Sequence, residues 1–229
     1  MKLLPVTKKD PVEKARLQCR RKFLHYFKKG FTDATYIDWE RQYKLDAHFS
    51  FQQELNKAEY ERLIKAKKYN EIAAKAVRVE SRTNLLFSFE KMALRDAVKE
   101  TAWSRPFALG LYDYVYGDDH LENRFNAFSE ILAQLQRKQT RVHTWPLQTV
   151  FGFIANPEEH IFLKPRVTQV AAEKYSYPFI YKSKPNWETY KSLIDFAGQI
   201  KQDVDDLKPQ DYIDLQSFIW VMGSDEYPD

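Results

Sequence analysis

The sequence has few of the residues that build covalent cross-links or phosphate-binding loops. Cys19 is the one cysteine among 229 residues, which rules out an internal disulfide and the zinc motifs that need two cysteines. A reducing, intracellular location is the default for such a chain. Only six glycines are present and they form no glycine-rich loop, so the phosphate cradles of P-loop and dinucleotide-binding proteins are excluded.

Long apolar runs are also absent. The apolar run that follows Met1 is too short for the core of a signal peptide, and no later stretch approaches the roughly 18 apolar residues that span a bilayer. We therefore expect a cytoplasmic protein with no membrane among its partners. The sequence also predicts no cofactor and no metal, because its histidines show no ligand spacing.

What the chain does contain favours a folded, helical protein. Hydrophobic residues make up 44% and aromatic residues 15% of the sequence, which is far from a disordered composition despite 30% charged residues. Apolar residues recur at steps of three and four rather than in the alternation that is typical of strands. The sequence therefore predicts an all-α or nearly all-α fold, a multi-helix globular bundle with at most a short strand pair near 161–181.

Prolines, caps and apolar stripes place the helices along the chain. We expect a single helical domain over residues 1–229, with a possible subdomain boundary at the polar run 136–142 that separates 1–135 from 143–229. Asp33 or Thr35 suits the cap of the second helix, and Asn186 suits the cap of a later one. The predicted helices cover residues 11–29, 36–55, 57–78 (as one or two helices), 82–99, 121–135, 146–154, 165–175, 187–204 and 209–222.

Two of these helices show an apolar stripe that we expect to face the core. In the second helix the stripe consists of Trp39, Tyr43, Ala47 and Phe51. In the helix 82–99 it consists of Leu85, Leu86, Phe89, Met92, Ala93 and Ala97, whereas Glu90, Lys91 and Arg95 share the opposite face.

Charge is distributed unevenly along the chain. The net charge is only +4, but residues 1–30 contain ten Lys or Arg and two acids, whereas residues 203–229 contain eight acids and one Lys. A row of basic side chains can bind a phosphate backbone by displacing its counterions. The two ends of the chain can equally pair with each other, or the basic residues can form a solvated face. The candidate nucleic-acid-binding residues of the first helix are Arg16, Arg20, Arg21, Lys22 and Lys28.

The second helix carries a row of polar side chains at steps of four, namely Glu40, Lys44 and His48. An acid, a base and a titratable imidazole on one face can transfer protons or edge a metal site. Ordinary pairing of Glu40 with Lys44 within the helix explains the same spacing.

The last third of the chain holds two further groups of candidates. His160, Lys164 and Arg166 lie at the start of a helix whose N-terminal amides favour an anion, although His160 and Lys164 can instead tie down the loop through backbone carbonyls. In the final helix, Asp211 and Asp214 can act as a carboxylate pair or accept hydrogen bonds from the basic first helix. Gln216 needs internal partners if it is buried.

Five blocks of the sequence together resemble a family of uncharacterised bacterial proteins. They are GFTD (30–33), ERQYK (40–44), RTNLLFSFEK (82–91), FLKP (162–165) and DLQSFIWV (214–221). The likeness covers nearly the whole chain. It implies a single evolutionary unit of bacterial origin, and it brings no activity with it.

The order of elements over residues 156–223 also looks like the closing half of helix-hairpin-helix DNA glycosylases. In that family an aspartate at the start of the helix after the hairpin is catalytic. Here the nearest equivalents, Glu158 and Glu159, lie on the other side of the block 162–165, and the glycine-bearing hairpin is missing.

Three hypotheses of function follow from these patterns. The first is a nucleic-acid-binding or nucleic-acid-associated accessory protein, which contacts DNA or RNA phosphates through the basic first helix. The second is an interaction or scaffold component of a bacterial multi-protein system, which docks a protein partner or a second copy of itself. The third is an enzyme, remotely glycosylase-like, that acts on a small anionic or nucleotide substrate with a pocket among His160, Lys164, Arg166, Asp211 and Asp214.

Overall fold

A computed structural model describes residues 10–135 and 141–229, and the fold in these two ranges is built from helices alone. No strand occurs in either range, so the all-α prediction is confirmed. The helices are α1 (Pro11–Tyr26), α2 (Ala34–Tyr36), α3 (Gln42–Leu55), α4 (Lys57–Lys65), α5 (Tyr69–Ser81), α6 (Ser88–Val98), α7 (Thr101–Tyr116), α8 (Leu121–Gln134), α9 (Trp145–Ala155), α10 (Pro165–Lys174), α11 (Trp187–Asp203) and α12 (Tyr212–Gly223), with 3₁₀ turns at Gly30–Thr32 and Asp205–Leu207 and a π-helical turn at Ile37–Arg41.

The short strand pair that the sequence allowed at most near 161–181 does not form, because the extended segment before α11 finds side-chain partners in place of a neighbouring strand. The backbone amide of Ile180 donates to the hydroxyl of Ser192 at 3.0 Å. The amide of Lys182 donates to the hydroxyl of Thr189, also at 3.0 Å. Both hydroxyls belong to α11, so these side chains satisfy backbone groups that a strand would pair in a ladder.

Side-chain caps set several of the helix starts. Asp33 accepts the amide hydrogen of Thr35 at the start of α2, and Asn186 accepts that of Thr189 at the start of α11, as predicted. The last helix begins at Tyr212 rather than at Pro209, because the carboxylate of Asp211 caps it.

The π-helical turn between α2 and α3 changes which residues face the core. An extra residue in one turn breaks the α-helical phase. Trp39, predicted to be buried, is 55% exposed, whereas Ala47 and Phe51 are buried as predicted. Glu40 and Lys44, which belong to the predicted polar row, are instead buried.

The predicted stripe of the helix 82–99 is also wrong in part. The helix begins at Ser88 rather than at residue 82, and the carboxylate of Glu90 turns back to accept the amide hydrogen of Phe87 at 2.9 Å. This bond buries Glu90 at the helix start, while Phe89 and Met92 are about half exposed.

Helix α12 lies at the centre of the fold. Almost every residue from Ile213 to Met222 is buried, and α12 packs against α1, α10 and α11. One continuous core joins residues on both sides of the predicted boundary at 136–142, as the rings of Phe107 and Phe151 show at 5.8 Å. Residues 136–140 of that boundary lie outside the described ranges. In those ranges no helix is both long and apolar enough to cross a bilayer.

Candidate functional site

The basic residues of α1 divide into two rows, and the inner row pairs with acids from the end of the chain. The guanidinium of Arg20 binds both oxygens of Asp206, at 2.7 and 2.6 Å. Arg16 lies 3.3 Å from Asp203. The sequence left open whether the charged ends of the chain pair with each other, and for this inner row the pairing is confirmed.

The outer row of α1 consists of Lys14 and Arg21, seven residues apart on the helix, together with Lys28 in the turn that follows it. All three are exposed. None of them has an ion-pair partner among residues 10–135 and 141–229. Lys14 and Arg21 stand about 10 Å apart along α1, since each residue of a helix rises 1.5 Å, whereas Lys28 lies beyond the helix end at Tyr26.

A cavity of about 700 Å³ lies at the edge of this row, between α1, α10, α12 and the segment 224–229. Helix α1 supplies Lys22, His25 and Tyr26 to its wall. Lys174 enters from α10 and Asp229 from the final segment.

In this cavity the side chains of Lys22 and Lys174 meet at one carboxylate. The Nζ atom of Lys22 is 2.6 Å from Oδ1 of Asp229, and that of Lys174 is 2.7 Å from Oδ2. The hydrogen bonds from the two lysines hold the pKa of the Asp229 carboxyl below its usual range. Sequence reasoning selected Lys22 but missed Lys174 and Asp229, because a single lysine near a helix end carries no signal of its own.

Cys19 lies in the floor of the same cavity and is nearly buried. Burial raises the pKa of its thiol to about 11. At neutral pH the side chain is therefore a protonated thiol rather than a nucleophilic thiolate.

A first buried charge network joins the π-helical turn to α12. The guanidinium of Arg41 binds Asp211 at 3.0 and 2.7 Å and Asp214 at 2.6 Å. The hydroxyl of Tyr36 donates to the same oxygen of Asp214, at 2.6 Å. Burial raises the pKa of Tyr36 well above its usual value, so this hydroxyl stays a neutral donor. Asp211 and Asp214, which the sequence offered as acceptors for the basic first helix, therefore pair with Arg41 of the π-helical turn instead.

A second network lies beside the first. The Nζ atom of Lys44 donates to Glu40 at 3.0 Å and to the hydroxyl of Ser217 at 2.7 Å. The other oxygen of Glu40 accepts from the hydroxyl of Tyr227 at 2.7 Å. These groups satisfy one another in the interior, so the contacts of Glu40 and Lys44 are those of a buried structural pair.

The third member of that polar row, His48, lies apart from the pair. Its Nδ1 atom is 2.9 Å from the carbonyl oxygen of Ile154, in α9. The row Glu40, Lys44 and His48 therefore does not assemble as a proton-transfer line. Gln216 is buried in α12, and its side-chain oxygen has no hydrogen-bond partner in the part of the chain that the structure describes.

The structure does not bring the predicted anion-binding residues of the segment 160–166 together, and each of the three lies in a different environment. His160 is fully buried, its ring stands edge-on to Tyr114 at 4.7 Å, and burial lowers its pKa so that it is neutral at pH 7. Lys164 donates to the carbonyl oxygen of Leu85 at 2.9 Å, which confirms the loop-tying alternative for this residue. Arg166 points into solvent and lies 3.6 Å from Asp225.

Glu159, the glycosylase-like candidate, is likewise held by internal contacts. Its carboxylate pairs with Arg124 and lies 3.3 Å from the Nε2 atom of His160. Within residues 10–135 and 141–229, no three His, Cys, Asp or Glu side chains come together as metal ligands.

No family model, no curated protein and no solved structure matches this chain. The resemblance to a bacterial family and the bacterial origin that it implies stay predictions.

Proposed function

We propose that this protein binds nucleic acid through the outer row of α1, with Lys14, Arg21 and Lys28 contacting phosphates. The observation that carries the proposal is the division of the basic helix into two rows. Acids neutralise the inner row, whereas the outer row has no ion-pair partner among the described residues and is exposed to solvent. The positive charge of α1 is therefore directed outward.

The outer row suits a phosphate backbone because its cations stand apart from one another, so each can contact a different phosphate. Every such contact releases condensed counterions, and this release supplies the affinity. Phosphate contacts fix position but carry no sequence information, so we expect binding with little sequence preference.

Of the residues that the sequence selected, Arg21 and Lys28 remain in this proposal, and Lys14 joins them. Arg16 and Arg20 leave it, because their guanidinium groups are committed to Asp203 and Asp206. Releasing them would cost the hydrogen bonds that hold the segment after α11 to α1.

The test is fluorescence anisotropy with labelled single- and double-stranded DNA and RNA over a salt series. We expect micromolar binding at low salt, and a slope of log K against log salt of about −2 for single strands with three phosphate contacts. Changing Lys14, Arg21 and Lys28 together to Ala should reduce affinity more than tenfold and flatten the slope.

The matched control replaces three exposed lysines far along the chain, Lys57, Lys65 and Lys99, with Ala. It changes the net charge by the same amount and should retain nearly full affinity. Absence of binding at low salt would overturn the proposed function. Equal weakening in both triple variants would show that total charge, and not the outer row, attracts the nucleic acid.

A further inference from the structure

The cavity beside α1 contains an arrangement of charge that the proposed function does not use. Lys22 and Lys174 come from different helices, and each holds one oxygen of the same carboxylate, that of Asp229. Two ammonium groups that converge on one point repel each other unless an anion lies between them. The folding of α1 against α10 has therefore built an anion site.

The two lysine side chains are more buried than the carboxylate that they bind. The side chain of Lys22 is 11% exposed and that of Lys174 is 37% exposed. The Asp229 side chain is 67% exposed. The more buried partners define the site, and Asp229 covers it from the solvent side.

Asp229 can leave this site without disturbing the core. The chain is anchored at Tyr227, which is buried and donates to Glu40. Among the described residues, Pro228 and Asp229 make one hydrogen bond besides the two lysine contacts, from the Tyr26 hydroxyl to the carbonyl oxygen of Pro228 at 2.6 Å. The Asp229 carboxylate can thus leave the two lysines while Tyr227 keeps its place.

The charge at the site favours an anion stronger than a carboxylate. The side-chain carboxylate of Asp229 supplies one negative charge against two ammonium groups, whereas a phosphate monoester carries about −1.5 to −2 at pH 7 and three acceptor oxygens. Lysine binds phosphate well as a point charge. A phosphate monoester therefore matches the pair of lysines better than the carboxylate that occupies it.

The cavity also has room for the rest of a ligand. Its volume of about 700 Å³ lies within the range of small-molecule sites, roughly 300–1,000 Å³. Cys19 and Met222 provide an apolar floor, and the aromatic side chains of His25 and Tyr26 stand at the wall.

We propose that Lys22 and Lys174 form a binding site for a phosphate monoester, for which the carboxylate of Asp229 is the internal competitor. Two sources supply this group: a small molecule such as a nucleoside monophosphate, and the terminal phosphate of a nucleic acid strand. The site differs from the outer row of α1, so the two proposals succeed or fail separately.

The test is isothermal titration calorimetry of the full chain with adenosine monophosphate and with inorganic phosphate at fixed ionic strength. Asp229→Asn removes the competing charge and should bind adenosine monophosphate about tenfold more tightly than the wild type. Adding Lys174→Gln should weaken the binding by tenfold or more from that level. The matched control, Asp225→Asn, removes an exposed acid from the same segment and should bind like the wild type.

Where adenosine monophosphate binds, the proposal is overturned if Asp229→Asn and Asp225→Asn bind it alike, or if Lys174→Gln leaves the tighter binding unchanged. Thermal melting checks that each variant is folded, and Lys22→Gln serves as the second variant if Lys174→Gln is not. Binding of adenosine monophosphate assigns the site to small molecules. If adenosine monophosphate does not bind, preference for a 5′-phosphorylated oligonucleotide over its 5′-hydroxyl form assigns the site to strand ends. If adenosine monophosphate does not bind and the 5′-phosphate gives no preference, the proposal is overturned, even where oligonucleotides bind the outer row.

Discussion

Arg41 in the π-helical turn and Asp214 in α12 form a buried ion pair at 2.6 Å across 173 residues of sequence. The pair joins the beginning of the chain to its central helix. Tyr36 and Asp211 complete the hydrogen bonding around it, so neither charge is left unsatisfied in the interior.

Removing the guanidinium should be strongly destabilising. Arg41→Ala leaves Asp214, which is 1% exposed, without its counter-ion, and breaking a buried pair from one side costs about 3–5 kcal/mol. Urea unfolding at pH 7 measures the loss in the free energy of unfolding. The control is Arg62→Ala, which removes an arginine from the exposed pair with Glu59 on α4 and should change the stability little. Similar losses in the two variants would contradict the structural role assigned to Arg41.

Glu80 should make the stability depend on pH. It is 1% exposed at the end of α5, and burial raises its pKa from 4.5 to about 7. The neighbouring charge of Glu90 raises this pKa further, whereas Lys91, Thr83 and Lys164 lower it by smaller amounts than burial raises it. The folded state therefore holds this proton more tightly than the unfolded state does. The contribution of protonated Glu80 to the free energy of unfolding is fully present below pH 4.5. On the order of 3 kcal/mol of stability is lost as the pH rises from there to about 7.

The variant Glu80→Gln should remove this dependence. Relative to the wild type, it should gain stability between pH 5 and pH 8 in urea unfolding experiments, because glutamine has no charge to bury. Glu130→Gln, at an exposed position of α8, provides the control and should follow the wild type. A constant difference between Glu80→Gln and the wild type across this range would count against a raised pKa at Glu80.

Two glycines within helices should respond oppositely to alanine. A Cβ atom at Gly152 in α9 would lie 2.6 Å from Nδ1 and 2.7 Å from Cγ of buried His160, so Gly152→Ala should cost about 1–3 kcal/mol. At Gly198 in α11, apart from the adjoining backbone of the helix itself, no atom of residues 10–135 and 141–229 lies within 4 Å of such a Cβ, so Gly198→Ala should gain about 0.5–1 kcal/mol from helix propensity. Thermal melting of the two variants against the wild type gives both signs in one experiment. A rise in melting temperature for Gly152→Ala would show that His160 is not packed against that helix.

Local signals were enough to predict most helices. Asp33, Asn186 and Pro165 carry a cap or a fixed backbone angle within one or two residues of the helix start, and these starts are confirmed. The register of α3 and α6 was not predictable in this way. A π turn at Ile37–Arg41 and the capping carboxylate of Glu90 each move the buried face, and neither leaves a distinct mark in the apolar periodicity.

The candidate sites show the same contrast between what the local sequence predicts and what tertiary packing decides. The sequence by itself determined that the chain is helical, that its first helix is basic and that its last segment is acidic, because these properties depend on composition and on neighbours within a few residues. Only the tertiary structure decided which charges pair. Arg20 meets Asp206, Arg41 meets Asp214, and Lys174 meets Asp229, in each case through the packing of distant helices. The same packing leaves the outer row without an ion-pair partner in the part of the chain that the structure describes, since a helix can turn only one face toward its neighbours.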